Sequence, residues 1–183
     1  MSGLGASVAL ALLLAWVIFA LAGLFLSPPI AVALGALVGV AAVVLARDTL
    51  GVSGLIAVLA PFGVMLPALA ARHMAGSLGA DIPGFSSVEI AVFLLVYVVF
   101  LSTAFGVIPV DLYRYGYAPW PVGALVLAVC AYAWVTGNWF LAGVAVLGQV
   151  FWMLGWGSSN WLDHVLHVFL VPVAAVVLLL RLI

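Results

Sequence analysis

The chain alternates between long apolar runs and short breaks that contain proline, glycine, serine or charged residues. Most runs have about the 20 residues that an α-helix needs to cross the hydrocarbon core of a bilayer. The pattern predicts an all-α fold, a polytopic integral membrane helical bundle with about seven transmembrane helices, six being the alternative count, and no soluble domain. The predicted helices cover residues 6–26, 29–46, 54–73, 87–108, 119–136, 139–156 and 160–182.

Two breaks contain residues that commonly begin helices. "SPP" at 27–29 places a cap before prolines, which the first helical turn tolerates. "SSVE" at 86–89 is a capping box with Ser86 at the cap and Glu89 three positions later. We therefore favour a capping role for Glu89 over that of a buried proton carrier.

Prolines interrupt two of the apolar runs. Pro61 and Pro67 both lie inside the third predicted helix, and Pro172 lies inside the seventh. A proline frees a carbonyl and bends the helix, although proline is also an ordinary residue of membrane helices. Two prolines six residues apart make the third helix the candidate hinge, with Pro61 and Pro67 as the hinge residues.

The predicted helices fall into two groups of similar length. We treat residues 1–183 as a single transmembrane domain, in which 6–73 and 119–182 each hold three helices and 87–108 lies between them. This 3+1+3 layout would suit two parallel repeats joined by a linker helix, as in some transporters and channels. The two groups show no residue-level match that would support a repeat.

Seven crossings would place the two ends of the chain on opposite faces, and we name the N-terminal side face A and the other face B. Face A then receives Arg47, Asp48, segment 111–120, Asp163 and His164, and face B receives Arg72, His73, Asp81 and Arg181. The arginines divide evenly, so the positive-inside rule gives no orientation. About 30 Å of hydrocarbon would separate His73 from the other two histidines, which excludes a bis-histidine haem site that includes His73.

Composition agrees with the pattern: 69% of the 183 residues are hydrophobic and 5% are charged, with a mean hydropathy of +1.50. Soluble domains contain about 25% charged residues. The Ala/Val/Gly/Leu-rich chain without lysine suggests a protein of a prokaryotic cell membrane.

A net charge of -1 provides no basic surface, which excludes nucleic acid as a partner. The expected partners are the lipid bilayer, a small solute or ion, and further copies of the chain or a larger membrane complex.

The stretch "SSNWLDHVLHVF" at 158–169 concentrates Asp163, His164 and His167 within five positions. On a continuous helix Asp163 and His167 would share a face, and His164 would lie about 100° away from Asp163. A carboxylate with two imidazoles is a partial set of metal ligands, which Asp111 or Asp48 would have to complete.

The same stretch also fits the start of a helix. Ser159 or Asn160 would cap it, and Asp163 would interact with free N–H groups and the positive end of the helix dipole. His164 and His167 would then be interfacial residues. We favour this structural interpretation over a transport or gating site, and that over metal, haem or quinone chemistry.

The segment "VDLYRYGYAPW" at 110–120 mixes tyrosine and tryptophan with Arg114. An interfacial aromatic belt is the favoured interpretation. The alternative is a lid over a polar pocket, with Arg114 pairing Asp111 or an anionic ligand, or converging with Asp163.

Two other features concern helix packing. Gln149 is the amide in the middle of a predicted helix, and it is expected to bond to a neighbouring helix rather than to a substrate. The Gly35-x-x-x-Gly39 spacing allows close helix contact, which we expect within the chain rather than between copies.

The function that these residues favour is passage or binding of a small solute or ion, as in a transporter or channel, through a polar mouth at face A. Its candidate residues are Asp111, Arg114, Asp163, His164, His167 and Gln149. Passage would require a water-accessible cavity that reaches Gln149. One alternative is a membrane-embedded metal, haem or quinone redox protein using His164 and His167, with Asp163 as a further metal ligand, and another is an accessory subunit. No cofactor is predicted for the leading function, and enzymatic activity is disfavoured because nucleophile-elbow and HExxH patterns are missing.

Overall fold

The computed structural model describes residues 2–46, 48–59, 63–156 and 158–182, and all regular secondary structure in these ranges is helical. The α-helices are α1 (Ser2–Ala22), α2 (Pro28–Ala46), α3 (Leu50–Leu59), α4 (Met65–Ser77), α5 (Ser87–Ala104), α6 (Pro119–Thr136), α7 (Trp139–Met153), α8 (Trp161–Val165) and α9 (Leu170–Leu180). A short 3-10 helix, Tyr113–Tyr117, lies between α5 and α6. The predicted all-α class is confirmed.

Four of these helices are long and apolar enough to cross a membrane: α1, α2, α5 and α6. Helices α7 and α9 are apolar but shorter. The described part of the chain therefore contains four helices of spanning length, and the predicted count of seven stays a prediction.

The third and seventh predicted helices are each divided in two. The predicted helix 54–73 corresponds to α3 and α4, and the predicted helix 160–182 corresponds to α8 and α9. A continuous helix over 160–182 was therefore the wrong prediction, because α8 ends at Val165 and α9 begins at Leu170.

The two prolines that the structure describes in these regions stand at helix starts rather than in helix interiors. Pro67 is the third residue of α4, and Pro172 is the third residue of α9. The first N–H groups of a helix have no intrahelical acceptor, so a proline there removes no hydrogen bond. Pro61 and Arg47 lie outside the described residues, and hinge motion at Pro61 and Pro67 stays a prediction.

The two interruptions meet, and we call their contact the crossing: residues 63–64 against residues 164–167. The backbone N–H of Val64 donates to the carbonyl of His164 over 2.7 Å. This bond satisfies a carbonyl that the early end of α8 leaves without a helical partner. A Cβ at Gly63 would lie 2.6 Å from the carbonyl carbon of Leu166, so only glycine permits this approach.

Two packing regions hold the bundle together. Helices α1 and α2 pack closely at Ala31, Gly35 and Gly39, where a Cβ at Gly39 would lie 2.6 Å from the carbonyl oxygen of Ala11. This confirms the predicted intrachain contact. The main core joins α4 to α9 through Val64, Met65, Tyr97, Val122, Val144, Trp161, Val165 and Leu170.

Hydrogen bonds to backbone carbonyls of residues 82–85 join polar side chains from several helices at one end of the bundle. Asn138 donates to the carbonyl of Gly84 over 3.0 Å, and Arg181 donates to the carbonyl of Phe85 over 2.9 Å. Arg72 donates to the carbonyl of Ile82 over 3.4 Å. These contacts bring helix ends from both halves of the chain together.

Candidate functional site

Asn160 attaches the start of α8 to the 3-10 helix. Its Oδ1 accepts from the backbone N–H of Leu162 over 2.9 Å, and its Nδ2 donates to the carbonyl of Tyr113 over 2.8 Å. The residue is 0% exposed. Gly116 lies directly against this side chain, with no room for a Cβ. Of the two predicted caps, Asn160 is confirmed.

Asp163 is the half-buried acidic residue of α8, and its two carboxylate oxygens have different surroundings. Oδ2 accepts from the hydroxyl of Tyr113 over 2.6 Å and from the hydroxyl of Ser158 over 2.6 Å. No residue that the structure describes donates to Oδ1 or pairs its charge with this carboxylate. We call Tyr113, Ser158 and Asp163 the Asp163 site.

These bonds differ from those expected for a capping acid. Asp163 does lie in the first turn of α8, as the helix-start interpretation requires. Its hydrogen bonds, however, come from side-chain hydroxyls rather than from free backbone N–H groups. The Asp163 site therefore links three segments of the chain instead of only beginning a helix.

The electrostatics of the site keep the phenol of Tyr113 protonated. Burial raises the pKa of Tyr113, and the hydrogen bond to Asp163 and the charge of that carboxylate raise this pKa further. An anionic phenolate next to a carboxylate would be repelled. Tyr113 consequently acts as a hydrogen-bond donor to Asp163 at neutral pH.

The two histidines of the stretch are buried and have separate roles. The Nε2 of His164 lies 2.7 Å from the carbonyl oxygen of Ser158. Because a carbonyl oxygen only accepts, Nε2 must carry a proton. The Nδ1 of His167 accepts from the backbone N–H of Phe169 over 3.2 Å, which helps to begin α9.

The structure changes one expectation for these histidines. His167 lies beyond the end of α8, so the predicted shared helical face of Asp163 and His167 is wrong. Both histidines are buried inside the protein, and their place at a membrane interface stays a prediction. The described residues also contain no group of three or more His, Cys, Asp or Glu that could hold a metal ion. The metal, haem and quinone alternatives stay predictions.

The structure keeps Asp111 and Arg114 apart from the Asp163 site. Oδ1 of Asp111 accepts from the backbone N–H of Arg114 over 3.1 Å, and the Arg114 guanidinium lies 5.1 Å from the ring centre of Tyr115. Both residues are exposed. In the described part of the chain Arg114 pairs with neither carboxylate, so the hypothetical convergence with Asp163 does not occur.

Sequence reasoning missed the inward role of Tyr113. It assigned the tyrosines of segment 111–120 to an aromatic belt, and Tyr115 and Tyr117 are indeed exposed. Tyr113 instead points to Asp163, which lies 50 positions later in the chain. No local pattern distinguishes Tyr113 from its neighbours, so the sequence contained no signal for this contact.

Gln149 was predicted to bond to a neighbouring helix and, for passage, to be reached by a water-accessible cavity. The Oε1 atom of Gln149 is buried without a hydrogen-bond partner, so the expected bond to a neighbouring helix is not found there. One cavity of about 170 Å³ is lined by Phe100, Tyr115 and Trp161 among others. A more open groove of about 430 Å³ runs between the end of α5 and the start of α9. Gln149 lines neither of these two spaces, so neither is the cavity reaching Gln149 that was expected for passage.

Comparisons with family models, with curated proteins and with solved structures give no match for this chain. The functional argument therefore rests on the residues and their contacts.

Proposed function

We propose that the chain is an integral membrane protein. Its support is the many large apolar side chains on the outer surface; α5, for example, turns Val88, Val92 and Leu95 outward. Helices that are apolar on all sides belong in lipid or in the core of a larger protein. Trp120, 90% exposed, and Trp134, 88% exposed, lie near the two ends of α6, and exposed tryptophans near helix ends are common in membrane proteins.

Within that setting, the proposed function is binding and passage of a small solute or ion through the Asp163 site. The observation that carries the proposal is the Asp163 carboxylate, with an open Oδ1 and no cationic partner among the described residues. Unpaired charge near a low-dielectric interior is costly, and in membrane proteins it commonly marks a substrate or ion pathway.

The position of the site adds support, because the carboxylate lies one residue from the crossing of two interrupted helices. Non-helical backbone at membrane depth is tolerated where it is buried in protein or lines a water-filled cavity. Interrupted helices at corresponding positions of two halves often indicate the binding site of a transporter.

Each interruption is followed by a helix with proline at its third position, Pro67 in α4 and Pro172 in α9. The packing of the two halves differs, since α1 contacts α2, α3 and α4, whereas α7 contacts α6 and α8 while α9 contacts α5. The 3+1+3 layout is proposed from helix order and the two interruptions alone.

Flux through purified protein in liposomes tests this function. We expect the double variant His164→Ala/His167→Ala to lose flux, because the two imidazoles secure the backbone on both sides of the interruption between α8 and α9. His73→Ala is the matched control, because His73 accepts from Trp16 at the other end of the bundle.

Two results would contradict the proposal: unchanged flux in the double variant, or no flux of any small ion or neutral solute through the wild type. A visible absorption spectrum and a metal analysis of the same samples test the redox alternative. A pigment or a stoichiometric metal that is lost in the double variant would support that alternative.

A further inference from the structure

Two arginines from different helices contact the same loop at one end of the bundle. Arg181, the residue after α9, donates from Nη1 to the carbonyl of Phe85 over 2.9 Å. Arg72, in the second half of α4, donates from Nη2 to the carbonyl of Ile82 over 3.4 Å. A Cβ at Gly84 would lie 2.8 Å from the same Nη2 atom. The two guanidinium groups therefore lie against adjacent residues of the loop between α4 and α5.

Aromatic contacts connect the two arginines through a further helix. The Cζ atom of Arg72 lies 5.6 Å from the ring centre of Phe140 on α7, and the ring of Phe140 meets that of Phe85 edge-on, 6.1 Å between centres. Phe85 is also the residue whose carbonyl accepts from Arg181. Asn138 fixes the loop by donating to one of its carbonyls over 3.0 Å. We call Arg72 and Arg181 the arginine site.

Most hydrogen-bond donors of the arginine site are unused. A guanidinium group has five N–H donors, but only one nitrogen of each arginine donates to an acceptor that the structure describes. The Nε atom of Arg72 is buried without an acceptor. Within the described ranges neither arginine forms an ion pair with a carboxylate. The site therefore has both the charge and the donors to bind an anion.

The acidic residues of this end do not compensate the two arginines. Glu89 uses one oxygen for the backbone N–H of Ser86 and the other for the hydroxyl of Tyr132. Asp81 is exposed and, in the described part of the chain, bonds to neither arginine. Because these carboxylates lower the net charge of the region, attraction of an anion depends on direct bonds to the guanidinium groups.

The surroundings of the arginine site favour a lipid over a free anion. Val88 follows Ser87, which accepts from Arg181 over 3.3 Å, and Leu180 precedes Arg181; both apolar side chains are exposed. An acyl chain can lie on such side chains while its headgroup reaches the arginine. Trp139 is exposed at the start of α7, one residue after the asparagine that fixes the loop, and tryptophan is enriched at the level of lipid headgroups.

We propose that Arg72 and Arg181 bind the phosphate group of an anionic membrane lipid. Two oxygens of a phosphate accept parallel hydrogen bonds from one planar guanidinium group, and two arginines can hold one phosphate from two sides. Basic pockets between membrane helices bind anionic headgroups by this chemistry. The inference rests on the proposed membrane placement of the chain and is independent of passage through the Asp163 site.

Lipid binding to the whole purified chain tests the proposal. The protein in a neutral detergent is titrated with phosphatidylglycerol, phosphatidylcholine or sodium phosphate, native mass spectrometry detects bound lipid, and the thermal unfolding midpoint reports stabilisation by a bound ligand. We expect saturable binding of phosphatidylglycerol and at least about tenfold weaker binding of phosphatidylcholine, because its choline group cancels the charge of the phosphate. Inorganic phosphate at the same concentrations should leave the midpoint unchanged.

Matched variants locate the site. Arg72→Gln and Arg181→Gln are each expected to weaken phosphatidylglycerol binding by about tenfold, because bonds between two charged groups are the stronger ones. Arg114→Gln removes an arginine at the other end of the bundle and should bind like the wild type. The double variant Arg72→Lys/Arg181→Lys keeps both charges but not the planar donors, so its affinity should lie between the wild type and the glutamine variants. This variant separates loss of the site from loss of the fold.

Three outcomes would overturn the lipid site. The first is equal binding of phosphatidylglycerol by the wild type and by Arg72→Gln/Arg181→Gln, and the second is equal binding of the two lipids by the wild type. The third is binding of inorganic phosphate that phosphatidylglycerol does not displace, which would make a free anion the ligand. None of them changes the proposal of passage, because flux depends on the Asp163 site at the other end of the bundle.

Discussion

Two tyrosine–carboxylate pairs stand at opposite ends of the bundle, and they differ in what the carboxylate has left to bind. Tyr132 donates to Glu89 and Tyr113 donates to Asp163, each over 2.6 Å. The second oxygen of Glu89 accepts from the backbone N–H of Ser86 over 2.6 Å, which completes the predicted capping box. Both oxygens of Glu89 are therefore occupied, whereas Oδ1 of Asp163 is open among the described residues.

No arginine that the structure describes forms an ion pair with either carboxylate. Arg181 donates to the Ser87 hydroxyl over 3.3 Å, close to Glu89 in the sequence, and Arg114 contacts Tyr115 at the Asp163 end. An identical bond length thus accompanies a completed capping box at one end and an open carboxylate oxygen at the other, and the second oxygen makes the difference.

The largest difference in flux is expected between a variant that removes the charge of Asp163 and one that removes the charge of Glu89. Asp163→Asn keeps the size of the side chain but loses the charge on which the proposed binding and passage depend, so we expect flux to fall at least about tenfold. Glu89→Gln should leave flux unchanged, because glutamine also closes a capping box. Liposome flux of both variants beside the wild type measures the contrast, and a similar loss in both would remove the distinction between the two ends.

Gly116 and Gly84 allow the packing at the two ends of the bundle to be compared. A Cβ at Gly116 would collide with Asn160, which is buried and held by hydrogen bonds on both sides of its amide, whereas a Cβ at Gly84 would meet only the guanidinium end of Arg72 at 2.8 Å. We expect Gly116→Ala to cost about 1–3 kcal/mol of stability. Gly84→Ala should stay within about 0.5 kcal/mol, because the long arginine can move.

Thermal unfolding in one detergent measures both glycine variants. Equal midpoints for Gly116→Ala and Gly84→Ala would show that the attachment of α8 to the 3-10 helix is not rigid.

The smallest expected effect is a pH dependence at the Asp163 site. The pKa of Tyr113 is raised in the folded protein above its ordinary value of about 10, chiefly by burial and then by Asp163. The stability from its hydrogen bond is fully present below about pH 10 and is lost as the pH rises through the folded pKa. Unfolding midpoints should therefore fall more steeply above about pH 10 in the wild type than in Tyr113→Phe, and parallel curves would contradict this.

Several features were readable from sequence because their causes are local. The capping box at Ser86 and Glu89 is one, since the two residues lie within one helical turn. The cap at Asn160 is another, as its acceptor lies two residues from the donor that it satisfies. The close contact of α1 with α2 followed from the spacing of Gly35 and Gly39, which any helix places on one side.

The sequence by itself determined an all-α fold, apolar helices of spanning length and the stretch in which Asp163 lies, because length, hydropathy and capping act over one or two helical turns. Only the tertiary structure decided the rest. The early end of α8 coincides with a hydrogen bond from Val64, 100 positions before the His164 carbonyl that accepts it. The donors to Asp163 come from Tyr113, 50 positions earlier in the chain, and from Ser158 in the preceding segment. Periodicity carries no information about such partners, because distant segments meet only when the bundle packs.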